Sequence, residues 1–168
     1  MIRRLQILIA VITINYSSQG QNNFDYTTFS NTGKRLETSE KTHVKKLFDS
    51  LSQKSKITFT YNDSVIFLLK SNTKSVEWMG DFNGWGFQKN FSNKGNQIPG
   101  TDICILKASF PKDARLDYKI LIDGTNWILD PENKFQQWSG VSGGSPNSEL
   151  RMPEWKEDPI QLERQNNH

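Results

Sequence analysis

Ser75-Val-Glu-Trp-Met-Gly-Asp-Phe-Asn-Gly-Trp85 reads as a short strand that runs into a glycine-rich turn and closes on an aromatic. Val76 and Trp78 alternate with Ser75, Glu77 and Met79, the period of a half-buried strand. From Gly80 to Gly84 the composition is that of a turn. Asp81 and Asn83 can bond their own backbone, and glycine tolerates positive φ. Trp78, inside the strand, is expected in the core. Trp85 sits at the turn boundary, where core packing and surface contact are both open, and loops carry binding groups.

The neighbouring segments repeat the strand-and-turn pattern. Ile57, Phe59 and Tyr61 alternate with Thr58 and Thr60, and Asn62-Asp63-Ser64 is a turn. Val65 to Leu69 is a continuous apolar run, as expected of a central strand. Ser71-Asn72-Thr73 turns the chain again before the opening stretch. Beyond it, residues 86 to 100 are polar and turn-rich. Thr101 to Phe110 predicts a strand with Cys104, Leu106, Ala108 and Phe110 on one face. In Arg115 to Asp123, Leu116, Tyr118, Ile120 and Ile122 point one way, and Asp117, Lys119 and Leu121 the other. The first set is expected in the core, which leaves Lys119 facing solvent. Asp123-Gly124 is a hairpin signal. Trp127 to Pro131 predicts a short strand ended by proline, residues 132 to 148 a long loop, and Asn147 to Pro153 a final short strand. Many short strands at regular spacing predict an all-β sandwich.

One segment has a different period. Val44, Leu47, Phe48 and Leu51 follow the helical template within residues 38 to 53, with Thr38 or Ser39 as the cap. A single short N-terminal helix is expected there.

The chain has 168 residues, enough for one domain, and its aromatics include ten Phe and five Trp, so rings are expected to fill the core. Arg3, Arg4, the apolar run Leu5 to Ile14 and the small residues near Ser18 and Gly20 predict a secretory signal over residues 1–20, too short to span a membrane. The expected organisation is this signal, a lead-in and helix over 21–55, the sandwich over 56–153, and a polar tail or linker over 154–168. A secreted or periplasmic location follows, with no membrane association after cleavage. Arg3 and Arg4 supply two of the net +3 charges, and without them no basic block suggests nucleic acid. The single Cys104, between Ile103 and Ile105, is expected as a buried hydrophobe. With two His, neither in the β-rich region, neither a metal site nor a Ser-His-Asp triad is expected. Gly140-Val-Ser142-Gly-Gly144 spells Gly-x-Ser-x-Gly but lacks the strand-to-helix context of a nucleophile elbow, and no dinucleotide-binding or Walker pattern occurs. Asp81, Asp117, Asp123 and Asp130 are read as backbone-bonding residues rather than a catalytic pair. The chain is expected to be no enzyme and to carry no cofactor.

What remains is aromatic. Trp85 and Trp127 stand at turn boundaries with the outward Lys119 between them in sequence. An indole can stack on the apolar face of a sugar ring while lysine and asparagine exchange hydrogen bonds with its hydroxyls.

Gly80-Asp-Phe-Asn-Gly-Trp85, Asp117-Tyr-Lys-Ile120, and Asp123-Gly with Trp127-Ile-Leu-Asp-Pro131 together resemble the family-48, or glycogen-binding, carbohydrate-binding module over roughly residues 60 to 152. The resemblance implies an immunoglobulin-like early-set β-sandwich. It also implies carbohydrate contact by Trp85, Lys119, Trp127 and Asn147, with a glycan or polysaccharide of the α-glucan type as partner. Ala114 to Lys119, Trp127 to Asn133 and Pro146 to Pro153 are similar to the N-terminal domain of bacterial enterochelin-esterase and esterase-D-like proteins. There a sandwich precedes an α/β-hydrolase domain, so the alternative expectation is an accessory domain of such an esterase that binds no sugar of its own. The sequence departs from the glycogen-binding pattern in two places. The 134–144 loop adds Phe135 and Trp138, and one extra residue separates Asp123 from Trp127.

Overall fold

The computed structural model describes residues 38–53, 58–88, 91–137 and 145–157. The expected signal peptide, the lead-in before the helix, Trp138 and the tail beyond 157 lie outside the described residues.

Among the described residues the fold is an all-β sandwich with one helix, α1 (Thr38–Gln53). The strands that follow among the described residues are, in chain order, β1 (Phe59–Tyr61), β2 (Ser64–Lys70), β3 (Val76–Gly80), β4 (Asn96–Gln97), β5 (Ile103–Ser109), β6 (Arg115–Ile122), β7 (Asn126–Ile128), β8 (Gln136–Gln137) and β9 (Asn147–Arg151). The first sheet has the order β1-β2-β5-β4, the second β3-β6-β9-β8, with β7 also paired to β6. Every pairing among these described strands is antiparallel. Strands β4 and β8 fall within segments expected as loops. Each is two residues of Asn or Gln, without the apolar alternation by which a strand is recognised in sequence.

The apolar run of β2 is buried on both faces, and the two faces belong to different cores. Val65, Phe67 and Leu69 pack with Trp78, Leu106, Tyr118, Ile120 and Leu150 between the sheets. Ile66 and Leu68 pack with Ile103, Ile105 and Ile98 against Val44, Phe48 and Leu51 of α1. The helix therefore covers the outer face of the first sheet with the stripe its sequence period defines. Rings form a connected cluster within an otherwise aliphatic inner core. Phe67 meets Tyr118 edge-on at 5.3 Å, and Phe82 meets Phe110 at 5.3 Å. Trp78 is fully buried, and burial raises the thiol pKa of Cys104.

Helix coverage on one side leaves the outer face of the second sheet for other uses. Even-numbered residues of β6 point into the core, so Arg115, Asp117, Lys119 and Leu121 lie on that outer face. Register adds Glu77 and Met79 from β3, Asn147 and Glu149 from β9, and Trp127 from β7. The hairpin from β6 to β7 turns on Asp123 (φ 50°) and Gly124 (φ 72°), the type I′ geometry that Asp-Gly favours.

Candidate functional site

Two strands share one flank of β6. Strand β9 lies beside Arg115–Tyr118, and β7 lies beside Ile120–Ile122. Lys119 stands where the two diverge, opposite Met79 of β3. A hollow of about 430 Å³ opens there, bordered by Asp81, Trp85, Asp117, Lys119, Ser145 and Asn147.

Trp85 reaches this hollow on a built loop. The chain leaves β3 through two 3-10 turns, Asp81–Gly86, in which Gly84 (φ 54°), Trp85 (φ 58°) and Gly86 (φ 94°) are left-handed. For a bulky residue such as Trp85 that conformation is uncommon and is held only where the surroundings over-determine it. Asn83 holds it from beneath. Its Oδ1 accepts from the Gly80 and Gly86 N–H groups at 3.0 and 3.3 Å, and its Nδ2 donates to the Trp78 carbonyl at 2.9 Å. Asp81 holds it from above, and not by bonding its own backbone as the sequence suggests. Its Oδ1 accepts the Trp85 indole N–H at 3.2 Å, and its Oδ2 accepts the Asp117 N–H of β6 at 2.8 Å. Gly80 has a reason other than positive φ: it is extended, but a Cβ there would lie 2.3 Å from the Asp117 carbonyl oxygen.

Lys119 Nζ donates to Ser145 Oγ across the hollow. Asn147 is 8% exposed, and its Nδ2 donates to Asp117 Oδ2 at 3.4 Å. Burial raises the Asp117 carboxyl above the usual range, against the lowering influence of Asn147 and the Arg115 guanidinium 3.1 Å away. Asp81 and Asp117 are the hollow's carboxylates. Both oxygens of Asp81 already accept hydrogen bonds from the indole and from β6, and Asp117 faces Asn147 and Arg115. Both are thus engaged in bracing the site.

Three of the four residues expected to contact carbohydrate, Trp85, Lys119 and Asn147, thus border one hollow. Trp85 is half-buried. Trp127 does not border it. It lies on the same sheet face, opposite Leu121 and diagonal to Lys119, a placement that separates Cα atoms by about 7–8 Å. Trp127 is 46% exposed. Asp81, Asp117 and Ser145 are the border residues that sequence reasoning missed. Asp81 acts across a strand pair whose register is not written locally, and Ser145 follows a Gly- and Ser-rich stretch of sequence without period.

Beyond the hollow, the Trp127-Ile-Leu-Asp-Pro-Glu-Asn133 segment is fixed by a buried polar network. Asp130 accepts from Tyr118 Oη at 2.7 Å and from the Glu132 N–H at 3.0 Å, and Asn133 Nδ2 donates to the Glu149 carbonyl at 2.9 Å. Burial raises the Asp130 carboxyl, and the hydrogen bond from Tyr118 opposes that rise. This aspartate therefore anchors the strand that presents Trp127.

No protein-family model and no curated protein matches the chain. Solved structures similar to it include the ferric enterobactin esterase from Salmonella typhimurium, with a TM-score of 0.49 and 15% identity over 59% of this chain and 33% of that one. The enterochelin esterase from Shigella flexneri gives 0.47 and 17% over 61% and 34%. A maltogenic amylase from S. marinus gives 0.41 and 18% over 61% and 16%. The chain spans about a third of the length of these esterases. Likeness at this level carries no activity or ligand to the chain.

Proposed function

We propose that the outer face of the second sheet is a carbohydrate-binding surface, and that the chain is a non-catalytic, exported module for a neutral glycan of the α-glucan type. The observation that carries the reading is the meeting of Trp85, Lys119 and Asn147 around one hollow, although 62 positions separate the first from the last in sequence. The chemistry suits a polyol. Trp85 offers a ring edge and face, Lys119 a charged donor, Asn147 an amide, and Asp117 an acceptor. Two carboxylates and one ammonium border the hollow, a set with no excess of basic groups, which favours a neutral ligand over an anionic one. Trp127 would meet a second ring of a longer chain.

A competing reading is an accessory domain that docks on an α/β-hydrolase domain. Phe87, 90% exposed two residues beyond Trp85, favours it. Intrinsic tryptophan fluorescence separates the two. Titration with maltoheptaose is expected to saturate, a β-glucan control to leave the emission unchanged, and the Trp85→Ala/Trp127→Ala variant to lose the response. A flat titration of the folded chain would leave the docking reading.

A further inference from the structure

We propose that Asp81 is a positioning residue for the Trp85 indole, a carboxylate clasp that fixes the ring at the edge of the hollow by tying it to β6. The inference rests on the carbohydrate-binding reading of that hollow and adds a residue to it.

Three observations converge on Asp81. Its carboxylate is engaged on both oxygens, one by the Trp85 indole N–H at 3.2 Å and the other by the Asp117 N–H at 2.8 Å. The two donors belong to different elements, the loop after β3 and the strand β6 that also carries Lys119. The carboxylate therefore links the ring, through two hydrogen bonds, to the strand that presents the hollow's ammonium group. Second, Asp81 is solvent-exposed, so its role is not the filling of a core. Third, Trp85 stands at φ 58°, a conformation that needs external restraint. Asn83 restrains the backbone of the loop, but its bonds go to Gly80, Gly86 and Trp78. Asp81 accepts the indole N–H itself.

The physical consequence concerns orientation. A tryptophan side chain turns about two torsions, and stacking on a sugar ring requires one of the resulting planes. A hydrogen bond from Nε1 to a carboxylate that is itself anchored removes that freedom before the ligand arrives. A preorganised ring loses less entropy on binding. Without the carboxylate the indole keeps its apolar area but samples other planes.

The test uses the whole chain with Asp81→Ala, Asp81→Asn, Trp85→Ala and the Asp81→Ala/Trp85→Ala double substitution. Two readouts are taken. The first is solvent exchange of the Trp85 indole N–H proton, assigned by its disappearance in Trp85→Ala. Asp81→Ala is expected to speed that exchange at least about tenfold and to leave the other indole protons unchanged, the loss of a charge-assisted hydrogen bond. Asp81→Asn, which retains an acceptor oxygen, is expected to fall between. The second is maltoheptaose affinity. Asp81→Ala is expected to weaken it about five- to tenfold. The double variant should bind no more weakly than Trp85→Ala alone, because the clasp acts through the ring. Unchanged indole exchange in both Asp81 variants would overturn the proposal, as would losses that multiply in the double variant. Should Asp81→Ala fail to fold, Asp81→Asn carries both readouts. A flat maltoheptaose titration of the unsubstituted chain would overturn the carbohydrate-binding reading instead, and the exchange rates alone would then decide the clasp.

Discussion

The side-chain amide of Asn83, 1% exposed, serves three backbone groups around the loop that carries Trp85. No alanine can replace those bonds. Asn83→Ala leaves the Gly80 N–H and Trp78 carbonyl without this partner, and the expected loss is about 2–4 kcal/mol of unfolding free energy. Urea denaturation checks it, and a loss below about 0.5 kcal/mol would show that the loop has other supports. Glu149 supplies a second residue-scale test. Burial pushes its carboxyl up, but hydrogen bonds from Arg151 and Arg115 outweigh burial and hold it below the usual glutamate range. A carboxyl whose folded value is lowered contributes stability above its unfolded value, and loses that contribution as pH falls through the folded value. Glu149→Gln is therefore expected to cost about 1–3 kcal/mol near neutral pH, discounted because both arginines are partly exposed. The gap to the unsubstituted chain should close as pH falls through the lowered Glu149 value. Denaturation at about pH 7 and about pH 3 reads this, the lower lying beneath the ordinary glutamate range. A gap that widened with acid would contradict the assignment.

Helix α1 and the second sheet lie on opposite sides of the first sheet. Their roles separate accordingly. Phe48 is 2% exposed and packs with Ile66, Leu68 and Ile103 on the helix side. Phe48→Ala is expected to cost about 3–5 kcal/mol and, in the fraction that stays folded, to leave maltoheptaose affinity within about twofold. Parallel denaturation and titration would show it. A large loss of affinity at full folding would mean that the helix face communicates with the hollow, for which one route exists. Ser52 Oγ donates to Glu132 Oε2 at 2.6 Å, and Glu132 follows the Asp130 network that anchors β7. The helix itself was legible from four apolar positions, and β2 from its unbroken apolar run. That one covers the other was not, because the contact joins distant segments and depends on which face of β2 is turned outward. Elements β4 and β8 escaped for a simpler reason: Asn96-Gln97 and Gln136-Gln137 carry no hydrophobic alternation.

Across the whole molecule, the pattern of the site was legible and its assembly was not. Alternation in β6 put Lys119 opposite the core residues, and the turn residues put Trp85 at a loop tip; both placements follow from local chemistry. Their meeting with Asn147 depends on β9 lying beside β6 and on β3 pairing with it on the other flank, which is long-range register. Asp81 was legible as a turn residue, yet its bonds cross that register to β6 and to a ring. The same architecture explains why one face is available at all, since α1 occupies the other. The most direct test of that face is a map of amide and indole resonances of the chain as maltoheptaose is added. The account predicts shifts that saturate together and cluster at Trp85, Lys119, Trp127 and Asn147, with the helix and Phe48 unmoved. No shifts, or shifts centred on α1 and the first sheet, would contradict it.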